Sequence, residues 1–363
     1  MQRQTLLVTI FMLLGGFAVV MPSEVQAEVV VAQTNSQQLN KLLEQGRKLV
    51  EQGNLSGAIA LYQKAAAIEK SNPRIYSGIG YLQARQGNYW AAALAYREAV
   101  KLEPNNADFQ YALGYSLGKL GENAGAAAAY QRTTELDSDN ANAHLGLGVI
   151  LLRQGNYSGA ISAYKQALAL DPENASAYGL LGEILLQQGR IQEATAVLQK
   201  SATIDPKNSS TLLALANAWL KQNNTTAGLL TLQQVALLEP DNAKVHLAIA
   251  NILKEQNNLD GALQEYSRAL AVEPNLVTAQ EAIGNILLSR GELKPAIAAY
   301  KRLIILSPEN GNAYYNLGLA LQQQGQSTDA IAAFTRAHEL YKQRGQLEGL
   351  TRVEAALRKL QQS

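Results

Sequence analysis

Few residues of this chain could do chemistry, and their spacing decides which chemistry that would be. Gly114-Tyr115-Ser116-Leu117-Gly118 has the spacing of a nucleophile elbow, in which a serine hydroxyl attacks an acyl carbon. That role needs a strand before the serine and a sharp turn at it. The apolar periodicity around Ser116 predicts the middle of a helix instead, so a hydrolase is the least supported function. Asp137-Ser138-Asp139-Asn140 opens like a calcium loop but lacks the glycine and the terminal glutamate that complete one. It falls where other segments read Asp-Pro-Glu-Asn, as a turn between helices. His144 and His246 have no second ligand at metal spacing and are expected as packing residues with satisfied ring nitrogens. The absence of cysteine excludes disulfides, thiolate nucleophiles and cysteine zinc sites. No phosphate-cradling glycine loop is present. The chain therefore reads as a non-enzyme that takes no cofactor and no metal.

Composition narrows the partners. The formal net charge is +1, and charged residues make up 17% of the chain, against about 25% in ordinary soluble domains. Such a chain has no electrostatic footprint for nucleic acid or for an acidic membrane surface. The apolar content leans on alanine and leucine with little aromatic residue, which suits close-packed helices and argues against an all-β fold.

The elements that must position any functional residue repeat along the chain. Gly46, Gly80, Gly114, Gly148, Gly182, Ala216, Ala250, Gly284 and Gly318 recur every 34 residues. Gly53 through Gly325 form a second column, with Asn223 and Asn257 in two places. Ala58 through Ala330 form a third, and Tyr62 through Phe334 a fourth. Interlocking columns at one period predict a single array rather than several domains. In residues 141–174, His144, Leu147, Gly148 and Leu151 share one helical stripe. Gly155 ends that helix in the left-handed conformation, and Ala160, Tyr164 and Ala167 form the stripe of a second helix. Asn106, Asn140, Asn174, Asn208, Asn242 and Asn310 are predicted to cap the first helix of their repeats. One such hairpin cannot bury its own stripe, so neighbours must stack.

On these residues the chain resembles the tetratricopeptide repeat (TPR) family, with nine repeats over residues 39–344. The resemblance implies an all-α, right-handed superhelical solenoid of antiparallel helix pairs that binds a partner along its concave face. Repeats five and six depart most, with Leu198 and Leu232 for the aromatic, Ser201 and Val235 for a small alanine, and Gly228 for alanine. They are expected to be locally looser.

The face of the first helix adjacent to its packed stripe contains positions 5, 9 and 12 of each repeat, with 5 and 9 the informative pair, and the resemblance implies that this face lines the groove. Two features stand out there. Repeats two to four present Tyr81, Tyr111, Tyr115, Leu145 and Val149 as an apolar, aromatic stretch, while Tyr315 stands in repeat nine. Repeats six to eight present Asn217, Asn251 and Asn285 at strict period. Aromatic residues with a polar tip make good anchors, and asparagine can pair with an extended peptide backbone. Arg47 is the only basic residue at these two positions, so clamping of an acidic terminus, as chaperone-binding members do it, is not expected, and binding should depend little on salt. The expected partners are one or more proteins or extended peptides, with no nucleic acid.

The termini complete the organisation. Residues 1–27 combine Arg3, an apolar run from Leu6 to Met21, and Val25-Gln26-Ala27, the pattern of a secretory signal cleaved after Ala27. The mature chain is then exported, periplasmic or secreted, without membrane insertion. Residues 28–38 read as a flexible lead-in. Residues 345–363 read as a capping helix with Leu347, Leu350, Val353, Leu357 and Leu360 on one stripe and Arg352, Glu354, Arg358 and Lys359 facing away. An export signal followed by nine repeats resembles, in architecture, the periplasmic factors of photosystem II assembly in cyanobacteria. A scaffold for peptidoglycan or outer-membrane machinery is an equal alternative.

Overall fold

Asparagine and glycine punctuate the chain, and the helices begin and end where they stand. The structure is a computed structural model describing residues 23–361. Among these residues nineteen helices follow one another with no strand. They fall into two compact units divided after Pro172.

The first unit contains α1 (Ser23–Glu51), α2 (Leu55–Ile68), α3 (Pro73–Arg85), α4 (Tyr89–Leu102), α5 (Ala107–Leu120), α6 (Asn123–Leu136), α7 (Ala141–Arg153) and α8 (Tyr157–Leu170). The second contains α9 (Ala175–Gln187), α10 (Ile191–Ile204), α11 (Ser209–Lys221), α12 (Thr225–Leu238), α13 (Ala243–Glu255), α14 (Leu259–Val272), α15 (Val277–Ser289), α16 (Leu293–Leu306), α17 (Gly311–Gln323), α18 (Ser327–Gln343) and α19 (Leu347–Gln361). Each odd-numbered helix from α1 to α17 is the first helix of a repeat and packs on the even-numbered helix after it. Within a unit, first helices of successive repeats also touch, as α3 with α5 and α5 with α7 do.

The local causes are repeated too. Each of the six predicted asparagine caps accepts a hydrogen bond from a backbone amide in the first turn, for example Asn140 Oδ1 from Ala143 N at 3.0 Å. Such a cap stabilises a helix by about 1 kcal/mol. Between the two helices the chain reverses through a left-handed residue, with φ 74° at Gly155 and φ 59° at both Asn223 and Asn257. The glycine and aromatic columns are two halves of one contact. A Cβ on Gly80 would lie 2.9 Å from ring atoms of Tyr96, and one on Gly284 2.8 Å from Tyr300. The first helix therefore gives up its side chain so that the phenol of the second can lie flat on its backbone.

The expected looseness is not found in the packing of repeat five, whereas the second helix of repeat six leaves a recess of about 630 Å3 against α13 and α14, lined by Ala236, Leu237, Pro240, His246, Ile249 and Glu265. Leu198 is fully buried against Gly182, so the smaller side chain is matched by close approach. Ser201 is buried with its hydroxyl donating to the Ala175 carbonyl at 2.8 Å, which replaces an alanine contact by a hydrogen bond. Two further expectations change at the ends. Residues 28–38, expected as a flexible lead-in, lie within α1, because no glycine or proline interrupts the chain between Ser23 and Gln45. Cleavage after Ala27 depends on a segment that lies mostly outside the described residues. At the other end Val353 is fully buried, and Leu350, Leu357 and Leu360 pack on the same core as Tyr341. Leu347 is exposed at the start of α19 instead of joining the stripe, and Arg352 does not face away but lies over the ring of Tyr315 at 5.2 Å. No helix among the described residues is long and apolar enough to cross a membrane.

Candidate binding surface

The packed stripe of a first helix fixes what its neighbours can do. In α5 the side chains of Gln110, Leu113 and Leu117 are buried, with Gly114 among them. Tyr111 and Tyr115 stand beside that stripe, Tyr111 half-buried and Tyr115 40% exposed. Tyr111 meets Tyr130 edge-on at 5.7 Å between ring centres, and Tyr115 meets Tyr89 edge-on at 6.1 Å. Burial pushes the phenol of Tyr111 up, with Tyr115 adding to it. Tyr130 is raised for the same reason, first by burial and then by Tyr111 and Tyr115. These hydroxyls therefore stay neutral and able to donate at physiological pH.

In the preceding repeat Tyr81 is 54% exposed and borders a recess of about 260 Å3 between α1 and α3, shared with Arg47, Val50, Glu51, Tyr62, Gly78 and Leu82. Gly78 leaves this recess open, since a Cβ there would meet nothing within 4 Å. Leu145 and Val149 of α7 are half-buried. The first unit thus presents a partly exposed apolar and aromatic face on α3, α5 and α7, edged by hydroxyls. Such a face can take apolar side chains and offer hydrogen bonds.

In the second unit Asn217, Asn251 and Asn285 are exposed on α11, α13 and α15. They are not equivalent. Asn251 Oδ1 accepts from the Tyr266 hydroxyl at 2.6 Å. Asn285 Oδ1 accepts from Tyr300 at 2.8 Å and from Asn316 Nδ2 at 3.1 Å. Asn217 has Leu232 in the corresponding place, so no phenol reaches it. In two of the three, the carbonyl end holds the aromatic column and the amide end is left for a partner. Tyr315 is half-buried, tilted against Phe334 at 5.7 Å and covered by Arg352.

Reading positions 5 and 9 alone misses Tyr89 and a row of cations. Arg85, Lys119 and Arg153 stand one turn beyond Tyr81, Tyr115 and Val149, at the same 34-residue period. That period was the signal available in the sequence.

The residues singled out for chemistry have structural partners. Ser116 is buried within α5, its hydroxyl donating to the Ala112 carbonyl at 2.8 Å, with no turn at the serine. His144 Nε2 lies 3.0 Å from the Ser138 carbonyl. His246 is buried with Nε2 2.9 Å from the Pro240 carbonyl and Nδ1 2.7 Å from Glu265 Oε2, while Glu265 Oε1 accepts from Arg268 at 2.7 Å. The ring thus pins the turn before α13 to the second helix. Among the described residues no group of three His, Asp or Glu could hold a metal ion.

Comparison with known proteins follows the same architecture. The family model described as Cilia and flagella-associated protein 70 C-terminal domain matches residues 12–282. The model described as TPR repeat matches 284–325, and that described as Tetratricopeptide repeat matches 311–343. No curated protein matches the chain. Among solved structures, MamA is 26% identical with a TM-score of 0.44, covering 45% of this chain and 96% of its own. YrrB, described as a TPR protein with an unusual peptide-binding site, is 21% identical with a TM-score of 0.48, covering 53% and 98%. A tetratricopeptide repeat protein from Parabacteroides merdae is 17% identical with a TM-score of 0.48, covering 69% and 99%. By the family models, the chain belongs to the tetratricopeptide-repeat family, under the model for the C-terminal domain of cilia and flagella-associated protein 70.

Proposed function

We propose that this chain is a non-enzymatic scaffold that holds a protein or an extended peptide against the first-helix faces of its repeats. One observation carries the reading. Tyr81, Tyr111 and Tyr115 leave large, partly exposed rings on the first helices of consecutive repeats, and Trp90, 63% exposed, adds another at the start of α4. Tyr111 and Tyr115, held by edge-on neighbours, and Tyr81, held under Arg85, lose little conformational freedom on binding and serve as anchors. The same reading has the protein act outside the cytoplasm, on the strength of the leader pattern in residues 1–27.

The test is a titration of the partner captured from the exported fraction against wild type and a Tyr81→Ala, Tyr111→Ala, Tyr115→Ala variant. Anchors at these positions should each contribute about 2 kcal/mol or more, so the folded triple variant should bind at least a hundredfold more weakly. Unchanged affinity would remove the tyrosines from the site and shift it to Asn217, Asn251 and Asn285. N-terminal sequencing of the native protein should begin at Glu28, and a product starting at Met1 in the membrane would overturn the location.

A further inference from the structure

The first-helix face of the first unit is electrically polarised in a way its tyrosines do not explain. The guanidinium of Arg85 lies over the Tyr81 ring at 5.8 Å, and the ammonium of Lys119 over the Tyr115 ring at 5.4 Å. Arg153 Nη1 donates to the Gly118 carbonyl at 2.8 Å, reaching from α7 back to α5. One cation per repeat is thus fixed on the same face as the exposed rings.

These cations differ from their counterparts on the second helices. Arg97 is ion-paired with Glu122 at 3.0 Å, and Arg132 with Glu135 at 2.9 Å. Arg85, Lys119 and Arg153 are exposed and pair with no carboxylate among the described residues. Helices α3, α5 and α7 carry Arg74, Arg85, Lys119 and Arg153 against Asp108 alone. Yet residues 23–172 hold equal numbers of basic and acidic side chains. Glu51, beside Arg47 in the recess at Tyr81, closes the row at the first repeat. The positive charge is therefore a property of this face and not of the unit.

We infer that the first unit recognises an extended acidic peptide, its apolar side chains resting on Tyr81, Tyr115, Leu145 and Val149 and its carboxylates meeting Arg85, Lys119 and Arg153. The inference rests on the groove reading above and adds the ligand's charge. It reverses the weak salt dependence expected from positions 5 and 9. Single-stranded nucleic acid fits less well. A charge-balanced unit lacks the surplus that phosphate binding draws on.

The experiment titrates the full chain with fluorescein-labelled peptides of alternating Glu-Leu, Gln-Leu and Lys-Leu, and with labelled oligo(dT), at low and high salt. The Glu-Leu peptide should bind, with affinity falling about tenfold or more as salt screens the exposed charges. An Arg85→Gln, Lys119→Gln variant should lose about tenfold and most of the salt dependence. Arg97→Gln, Arg132→Gln should behave as wild type, and the charge-keeping Arg85→Lys, Lys119→Arg should retain binding. Circular dichroism checks that each variant is folded. Equal binding of Gln-Leu, an unaffected Arg85→Gln, Lys119→Gln variant, or tighter binding of oligo(dT) would each overturn the inference. Loss of the Glu-Leu peptide in the tyrosine triple variant, with full retention in the cation variant, would sink the charge assignment and leave the groove reading standing. Retention in both would remove both.

Discussion

Asn251 and Asn285 spend their carbonyl oxygens on the phenols fifteen residues later, which gives a repeating surface residue a second, internal duty. Removing that acceptor leaves a largely buried tyrosine hydroxyl without its protein partner, a loss of about 1 kcal/mol for one hydrogen bond. Asn251→Ala should therefore lower the urea midpoint by an amount near 1 kcal/mol. Asn217→Ala, facing Leu232, should cost less than about 0.5 kcal/mol. Equal shifts would mean that the phenol contact contributes nothing. The sequence alone displays the asparagine row but not this asymmetry, because the phenol and the amide sit on different helices and their meeting depends on how closely the two pack. The aromatic face shows the same limit. Tyr81, Tyr111 and Tyr115 are found from helical spacing, whereas Tyr89 joins Tyr115 from the start of a second helix and has no spacing relation to it. Arg85, Lys119 and Arg153 obey the period and are legible in the sequence, one turn beyond position 9.

Helix ends were the most readable elements, because each is written by one residue with a specific job. Asparagine caps the start, and a residue that tolerates positive φ closes the turn. Asn223 and Asn257 meet that demand with φ 59° at each. A β-carbon without a local hydrogen-bonding group is less tolerant of this conformation, at roughly 1–2 kcal/mol. Asn257→Ala should thus destabilise by about 1 kcal/mol, while Asn257→Gly should stay within about 0.5 kcal/mol of wild type. Denaturant titration distinguishes the two, and an alanine variant as stable as wild type would show that the turn is not held left-handed. Helix α1 is hard to read for the converse reason. Nothing between Ser23 and Gly46 punctuates the chain, and its sparse apolar pattern gives no helical signal, whereas a helix can continue outward from a packed segment.

Across the whole molecule the aromatic column acts collectively through its protons. Burial pushes Tyr96 up to about 12 and raises Tyr130, Tyr300 and Tyr266 of the same column as well. The folded chain therefore keeps phenolic protons that the unfolded chain releases near pH 10. Wherever the folded state binds more protons, stability falls as pH rises. Stability should be fully present below about pH 10 and decline between about pH 10 and 12 as the unfolded and then the folded phenols ionise. Urea midpoints across that range are the measurement, and a level profile would contradict the burial of the column. The packing of glycine on aromatic has one more consequence, for how such a chain can change in length. The contact closes within a repeat, and each repeat leans only on those beside it in its unit, so duplicating one block of 34 residues supplies its own caps, its own glycine and its own ring. A single inserted residue inside a helix instead turns everything after it by about 100° and carries the glycine away from its partner. The surface can therefore grow or shrink only by whole rungs. The length of that surface is counted in integers.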